Sequence, residues 1–399
     1  MATVIVAGGG VIGLSIAWRA AQRGFSVTVA DPAPGQGASH AAAGMLTPVS
    51  EAAFTEKELF ALGAASLERY PAFVAELTAA AGEPAGFRRT GTLQVGYDSD
   101  DLAVIDELHA LQESLGVPGR RLTARECRDL EPMLDPSVRG GLLVEADGSV
   151  DPRRLTRALL AASARAGVRL IRQPVTEIIT APAYGPLAGG GLAGELDAER
   201  ACGVRLADGT TLTADWTVLA AGWNSAGIGG LPTGCVPPVR PVKGQVVRLR
   251  APDGGFVRRS VRGIVRGSSV YLVPRENGEL VLGATQEELG PDTRVTAGGL
   301  WELLRDARAL LPGITELEFI EAVARLRPGT PDNAPILGGC PAPGLVLATG
   351  HFRNGVLLTP ITADVITGYL ATGRLPEVAE HFTIGRFYRE RPGHGGRSA

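Results

Sequence analysis

Apolar positions along the chain follow two periods, and each marks a different kind of element. Val4-Ile5-Val6 is a continuous β-branched run, as expected of a parallel strand buried on both faces. Ile12, Ile16 and Ala20 then recur at helical spacing, Gly24 ends that helix, and Val27-Thr28-Val29 forms a second strand. Residues 151–171 repeat the order, with a helix capped at Asp151 followed by a strand. Two later passages, "ADWTVLAAGWNS" (214–225) and "GLVLATGHFRNGVLLTP" (344–360), read as strands that end in small or polar residues. Other segments have a different character. Residues 56–82 are helical by pattern, and "RRTGTLQVGY" (88–97) alternates like a half-buried strand. From 240 to 327 the chain reads as mostly antiparallel strands: "VKGQVVRLR", "SVRGIVRG", "SVYLVPREN" and "ELVLGAT", then a helix over 296–311. No internal repeat occurs.

This alternation predicts an α/β protein with a nucleotide-binding domain interrupted by insertions. We assign 1–82, 140–238 and 326–390 to that domain, and 83–139 and 239–325 to a second, α+β domain on an antiparallel or mixed sheet. Residues 186–199 are low in complexity and read as a flexible surface loop, and 391–399 as a disordered tail.

The first turn carries chemistry. Gly8, Gly10 and Gly13 form G-x-G-x-x-G between a strand and a helix, and Asp31 closes the second strand. Gly8 makes the tight turn, Gly10 leaves room for a pyrophosphate against the backbone, and Gly13 lets the helix pack on the strand. The helix N-terminus offers N–H groups and a positive dipole end to phosphates. Asp31 can accept hydrogen bonds from an adenosine ribose. Val175, in "PVTEI", is placed where backbone meets an adenine edge, and Gly222 ends a strand where only small residues let backbone lie against a cofactor. These residues fit either NAD or FAD.

Composition narrows the classes. The 399 residues are 45% hydrophobic and 20% charged, ordinary for a globular chain with one large or two smaller domains. A net charge of −3 gives no field for nucleic acid or an anionic membrane. No apolar run reaches the roughly 18 residues of a membrane span, and no basic region precedes the first apolar stretch as in a signal peptide. Cys127, Cys202, Cys235 and Cys340 are far apart with no C-x-x-C, which argues against a zinc ribbon or disulfide scaffold and fits a reducing cytoplasm. The histidines His40, His109, His351, His381 and His394 show no metal-ligand spacing.

Six stretches spread over nearly the whole chain carry a resemblance: "GGGVIGLSIAWRAAQRG", "ASHAAAGML", "VLAAGWNS", "YLVPR", "LRPGTPDNAPILG" and "GHFRNGVLLTP". Together they resemble the FAD-dependent amine oxidases of the D-amino-acid oxidase superfamily, and within it the glycine oxidases of thiamine biosynthesis. The resemblance implies an FAD-binding Rossmann-like domain of the glutathione-reductase type with an interleaved substrate domain. It implies oxidation of glycine or another small amine to the imine or 2-oxo acid, by hydride transfer from Cα to the flavin. Dioxygen would be reduced to hydrogen peroxide, and the product would supply thiazole synthesis. A homotetramer is also implied. The nucleotide motif, with no cysteine or histidine in a familiar flavin-attachment context apart from His40 near "ASHAAAGML", predicts non-covalent FAD, and the cysteine usage a cytoplasmic location. By position, Val11, Ile12, Pro32, Ala38, Ser39, Ala43, Gly44 and Met45 join the cofactor residues above. His351, Phe352, Arg353, Asn354, Gly355, Val356 and Leu357 would lie along the pyrimidine side of the flavin. A helix starting near Asn354-Gly355 would aim its N–H groups at the charge a reduced flavin carries.

For the substrate carboxylate the resemblance points to Arg327 and Arg353, with the Tyr271 hydroxyl helping. Arginine suits the task because its planar fork can bind a carboxylate bidentately. Arg325 lies on the same strand face and competes for the assignment. Ser269 and Gln286, read as flanking the pocket, depart from the family pattern and leave open sarcosine or a small D-amino acid as substrate. Two other classes remain: a dehydrogenase of this fold with another electron acceptor, and a flavin-binding scaffold without turnover.

Overall fold

The computed structural model describes residues 1–50, 56–117, 119–182, 199–251 and 255–388. The expected tail, 391–399, and all of the expected loop except Glu199 lie outside the described residues.

Strand Thr3–Ala7 sits in a six-stranded sheet, between Ser26–Ala30 and Trp216–Leu219, and pairs in parallel with both. Leu345–Thr349 adds beside Trp216–Leu219, also in parallel, and Arg169–Ile171 beside Ser26–Ala30. The antiparallel Ile336–Gly339 forms one edge. The uninterrupted apolar run in the first strand has a direct cause. Val4 and Val6 pack into a core with helices Val11–Gln22, Pro152–Arg165 and Thr359–Thr372, whereas Ile5 and Ala7 face a small antiparallel sheet, Val175–Pro182, Glu199–Leu206 and Thr211–Thr213. Both faces are covered, so no polar residue is tolerated there. Asp151 caps the second of these helices, its side chain accepting from the N–H groups of Arg153 and Arg154.

The second sheet has eight strands, in the order Glu318–Gly329, Arg240–Arg250, Glu279–Gly283, Ser268–Pro274, Ser260–Val265, Thr92–Gly96, Gly140–Val144 and Arg120–Thr123. It is antiparallel except where Ser260–Val265 meets Thr92–Gly96 in parallel. Helix Ala297–Leu310, capped by Thr296, covers one face with Leu303, Ala307 and Leu310. The other face brings Val246, Val273, Val281 and Val323 against Ala41 and Ala43 of the first domain.

Two expectations change. Gly140–Val144 and the end of Glu318–Gly329 belong to this second sheet, so 140–144 and 326–329 move out of the nucleotide domain. Their pairing partners are distant in sequence, and local pattern does not reveal them. Cys235 and Cys340 form a disulfide with Cα atoms 5.4 Å apart, a pairing that the reading against a disulfide scaffold did not foresee. A sequence separation of 105 residues hides that approach. Cys127 and Cys202 are free. No helix among the described residues is long and apolar enough to cross a membrane.

Candidate functional site

A cavity of about 480 Å³ runs from the first glycine turn to the inner face of the eight-stranded sheet. Its wall is built by the segments picked out by sequence. Gly8, Gly10, Val11, Ile12, Asp31 and Pro32 form one end. Ala38, Ser39, Ala43, Gly44 and Met45 line the side, with Val175 and Gly222 opposite. The run His351, Phe352, Arg353, Asn354, Gly355, Val356 and Leu357 closes another flank, and Tyr271, Arg325 and Arg327 stand on the sheet.

Gly13 is not in the wall. A Cβ on it would lie 1.9 Å from the Gly8 carbonyl oxygen, so it lets the helix approach the turn and does not face a ligand. Gly10 is different, because a Cβ there would meet only the Ser39 hydroxyl, at 3.4 Å, and otherwise enter the cavity. Ser39 fixes the turn by accepting from the Val11 N–H at 3.1 Å. Asp31 has a second duty: its oxygens accept from the N–H groups of Gly9 and Ala33, both at 2.7 Å. A carboxylate has about four lone-pair sites, which leaves acceptor capacity toward the cavity.

The 351–358 segment departs from the expected helix start. Phe352–Asn354 is a single 3-10 turn, and the α-helix begins at Thr359 with Pro360 in its first turn, where proline's missing N–H costs nothing. Asn354 makes no side-chain cap; its carbonyl accepts from the Leu358 N–H at 2.8 Å. Among the described residues, the N–H groups of Val356 and Leu357 reach no backbone acceptor, and both residues line the cavity. The carbonyls of the same two residues are held from behind, by the Tyr70 hydroxyl at 2.7 Å and the Ser66 hydroxyl at 2.6 Å. Donor groups fixed in this way suit a polar, anionic ring system. With the open Gly10 wall and Asp31, they fit a flavin dinucleotide.

His351 is buried, and its Nε2 lies 3.1 Å from the Thr362 hydroxyl. Burial lowers its pKa to about 3, so it stays neutral near pH 7 and serves as a structural group. Among the described residues it is the one histidine in the wall, and no cysteine reaches the wall. His40 lies outside the wall, beside Arg153.

Arg327 is half-buried at the sheet end of the cavity. Its Nη1 donates to the Thr285 carbonyl at 3.0 Å and more weakly to the Lys243 carbonyl at 3.4 Å. Among the described residues no carboxylate lies within ion-pair distance of Arg327. Arg325 also lines the cavity, but its Nε donates to the Gln36 carbonyl at 2.8 Å, which ties the sheet to the loop beside Asp31. Arg353 is exposed, with its guanidinium 5.3 Å from the Phe352 ring. Ser269 and Gln286 are both exposed and outside the wall.

Three residues escaped the sequence reading. Gly244 lines the sheet end and Gly283 lies behind Tyr271: a Cβ on Gly244 would lie 2.5 Å from the Arg327 guanidinium, and one on Gly283 2.5 Å from the Tyr271 hydroxyl. Arg275, buried, donates to the Ala43 carbonyl at 2.5 Å and to the Val150 carbonyl at 3.3 Å, which fixes the 43–45 wall. Burial pulls its pKa down to about 10. Its place after "YLVP", at a strand end, was the only available signal.

Known proteins resemble this chain along most of its length. The chain is 32% identical over 389 residues to the bifunctional protein ThiO/ThiG of Trichormus variabilis, covering 97% of this chain and 55% of that protein. The chain therefore spans about half the length of that relative. It is 32% identical over 366 residues to the glycine oxidase of Geobacillus kaustophilus, covering 91% of each. The crystal structure of glycine oxidase from Geobacillus kaustophilus superposes with a TM-score of 0.83 at 30% identity, covering 96% of this chain and 99% of that one. A family model described as DAO, FAD dependent oxidoreductase, matches residues 3–369, and the chain belongs to that family.

Proposed function

We propose that the protein is a glycine oxidase that binds FAD without a covalent link. It would convert glycine, through its imine, to glyoxylate and ammonia, with dioxygen reduced to hydrogen peroxide. The observation that carries this reading is Arg327: a cation at the sheet end of a cofactor-sized cavity, held from behind by carbonyls and, among the described residues, without a carboxylate partner. The most economical substrate for such a group is a small amino acid, whose carboxylate pairs with the guanidinium.

Bound FAD would accept the two electrons released at the substrate Cα and deliver them to dioxygen. The chain's own residues do the rest. Arg327 takes the carboxylate, and the Tyr271 hydroxyl, leaning over Gly283, stands beside that site. Arg353 lies at the exposed flank and supplies a second positive charge. The N–H groups of Val356 and Leu357 favour negative charge at the flank they line. Among the described residues the one histidine in the wall, His351, is neutral, buried and bound to Thr362, so it is not poised as a base. The amine therefore has to bind unprotonated, and positioning supplies much of the rate. The ThiO/ThiG relative supports a role in supplying thiamine biosynthesis.

The test is product analysis of purified protein given glycine in air. Equal amounts of glyoxylate and peroxide are expected, with sarcosine and D-alanine run alongside to rank substrates. Glycine consumption that yields no peroxide and needs an added acceptor would assign a dehydrogenase. No turnover of any of the three would remove the proposal.

A further inference from the structure

Lys243 is fully buried, which is costly for an ammonium group unless its surroundings compensate. It sits on strand Arg240–Arg250 one residue before Gly244, so its side chain points away from the cavity. Its Nζ lies 3.1 Å from Asp292 Oδ2 and 3.3 Å from Glu287 Oε2. Glu287 Oε1 also accepts from the Gln245 amide at 2.7 Å and from the Thr285 hydroxyl at 2.6 Å. The backbone repeats the connection: Lys243 and Glu287 exchange N–H to carbonyl bonds of 2.8 and 3.0 Å, and the Gln245 N–H donates to the Thr285 hydroxyl at 2.9 Å. Gln245 in turn accepts from the Thr296 N–H at 2.8 Å, at the start of helix Ala297–Leu310.

These bonds clamp residues 285–287, which begin two positions after the end of strand Glu279–Gly283, onto Lys243 and Gln245. The two carbonyls that hold Arg327 Nη1, those of Thr285 and Lys243, belong to the clamped pieces. We propose that Lys243 and Glu287, with Asp292, are positioning residues: their buried ion pair fixes the carbonyls that aim Arg327 at the substrate carboxylate. The proposal rests on the reading of Arg327 given above. Burial alone would push the Lys243 pKa down, but its hydrogen bonds to Asp292 and Glu287 outweigh that, so the pair stays charged across the working range. Stability is a weak reason for such a pair, since apolar residues in its place serve a core at least as well. A fixed orientation of a neighbouring group accounts for it better.

The test uses FAD-loaded enzyme and acetate as a carboxylate probe, read by the flavin absorbance change, with sulfite as a probe of the flavin itself. Glu287→Ala should raise KM for glycine and Kd for acetate by about tenfold or more, with kcat and sulfite affinity changing far less. The effect on acetate should vanish when Arg327→Ala is already present, because the clamp acts only through that guanidinium. If Glu287→Ala does not fold, Glu287→Gln serves: it keeps the acceptor for Thr285 and Gln245, loses the charge facing Lys243, and should raise both constants in the same direction. Unchanged constants in the folded variant would overturn the proposal. So would an equal loss of acetate affinity with and without Arg327, or a matching loss of sulfite affinity. A wild-type enzyme inert to glycine would instead overturn the function, which separates the two failures.

Discussion

Gly244→Ala isolates the placement of Arg327 from its charge. The new Cβ would lie 2.5 Å from Cζ, Nη1 and Nη2 of Arg327, whereas ordinary contact begins at 3.4 Å, so the guanidinium must move by 3.4 − 2.5 = 0.9 Å. The end of an arginine can move by that much, and Gly244 is not among the glycines with positive φ, so alanine fits its backbone. The fold and FAD binding should therefore survive, with stability changed by no more than about 1 kcal/mol. The carboxylate site should not. A 0.9 Å shift along the 3.0 Å bond to the Thr285 carbonyl stretches it to 3.9 Å, beyond hydrogen-bond range. Misplacement by about 1 Å costs on the order of 100-fold in kcat/KM, or about 2.7 kcal/mol. Steady-state kinetics with glycine, beside the melting temperature and FAD occupancy of the same preparation, reads both effects. Wild-type kcat/KM would refute the placement of Arg327, and loss of FAD would show that Gly244 supports the fold instead.

Other substitutions probe the remaining walls. Arg327→Ala should keep FAD and lose about 30- to 1000-fold in kcat/KM for glycine, with Arg327→Lys recovering only part; equal activity in the two variants would count against a bidentate grip. Gly10→Val should give folded protein without FAD, because the side chain enters the cavity and meets only Ser39; a yellow, active variant would contradict the placement. Tyr70→Phe leaves the Val356 carbonyl without its partner and should cost about 1–3 kcal/mol, measured by denaturant unfolding of the FAD-loaded protein. His351 has a folded pKa of about 3 against an ordinary value of 6.5, so the unfolded chain binds its proton first as pH falls. Stability therefore drops between those values with a slope of up to about 1.4 kcal/mol per pH unit from this group, and His351→Asn should flatten that acid limb; an identical limb would refute the burial.

Much of the fold was legible because its signals are local. Val4-Ile5-Val6, the glycine turn and the two strand-to-turn passages near 220 and 350 each specify an element within a dozen residues, and all of them came together at one cavity. Legibility ended where function depends on distant pairing. Arg327 and Arg325 look equivalent two positions apart, and only the partners Thr285 and Gln36 separate them. Nothing near Gly244 or Gly283 in sequence marks them before the side chains they accommodate are seen. Lys243 carries no signal of its own within its strand, yet it is buried, with Glu287 and Asp292 reaching its ammonium group. Strand Thr92–Gly96 joins the second sheet beside Ser260–Val265, its residues pairing with ones 168 positions away (260 − 92) that no local pattern could name.

The most direct test of the central claim is anaerobic addition of glycine to the purified yellow protein, followed by air, with flavin absorbance and peroxide recorded together. The account predicts bleaching by glycine alone, then rapid return of colour in air with peroxide matching the flavin reoxidised. Flavin that stays oxidised under glycine would contradict it. Bleached flavin that regains colour only slowly and without peroxide would contradict the oxidase half while leaving the glycine site standing.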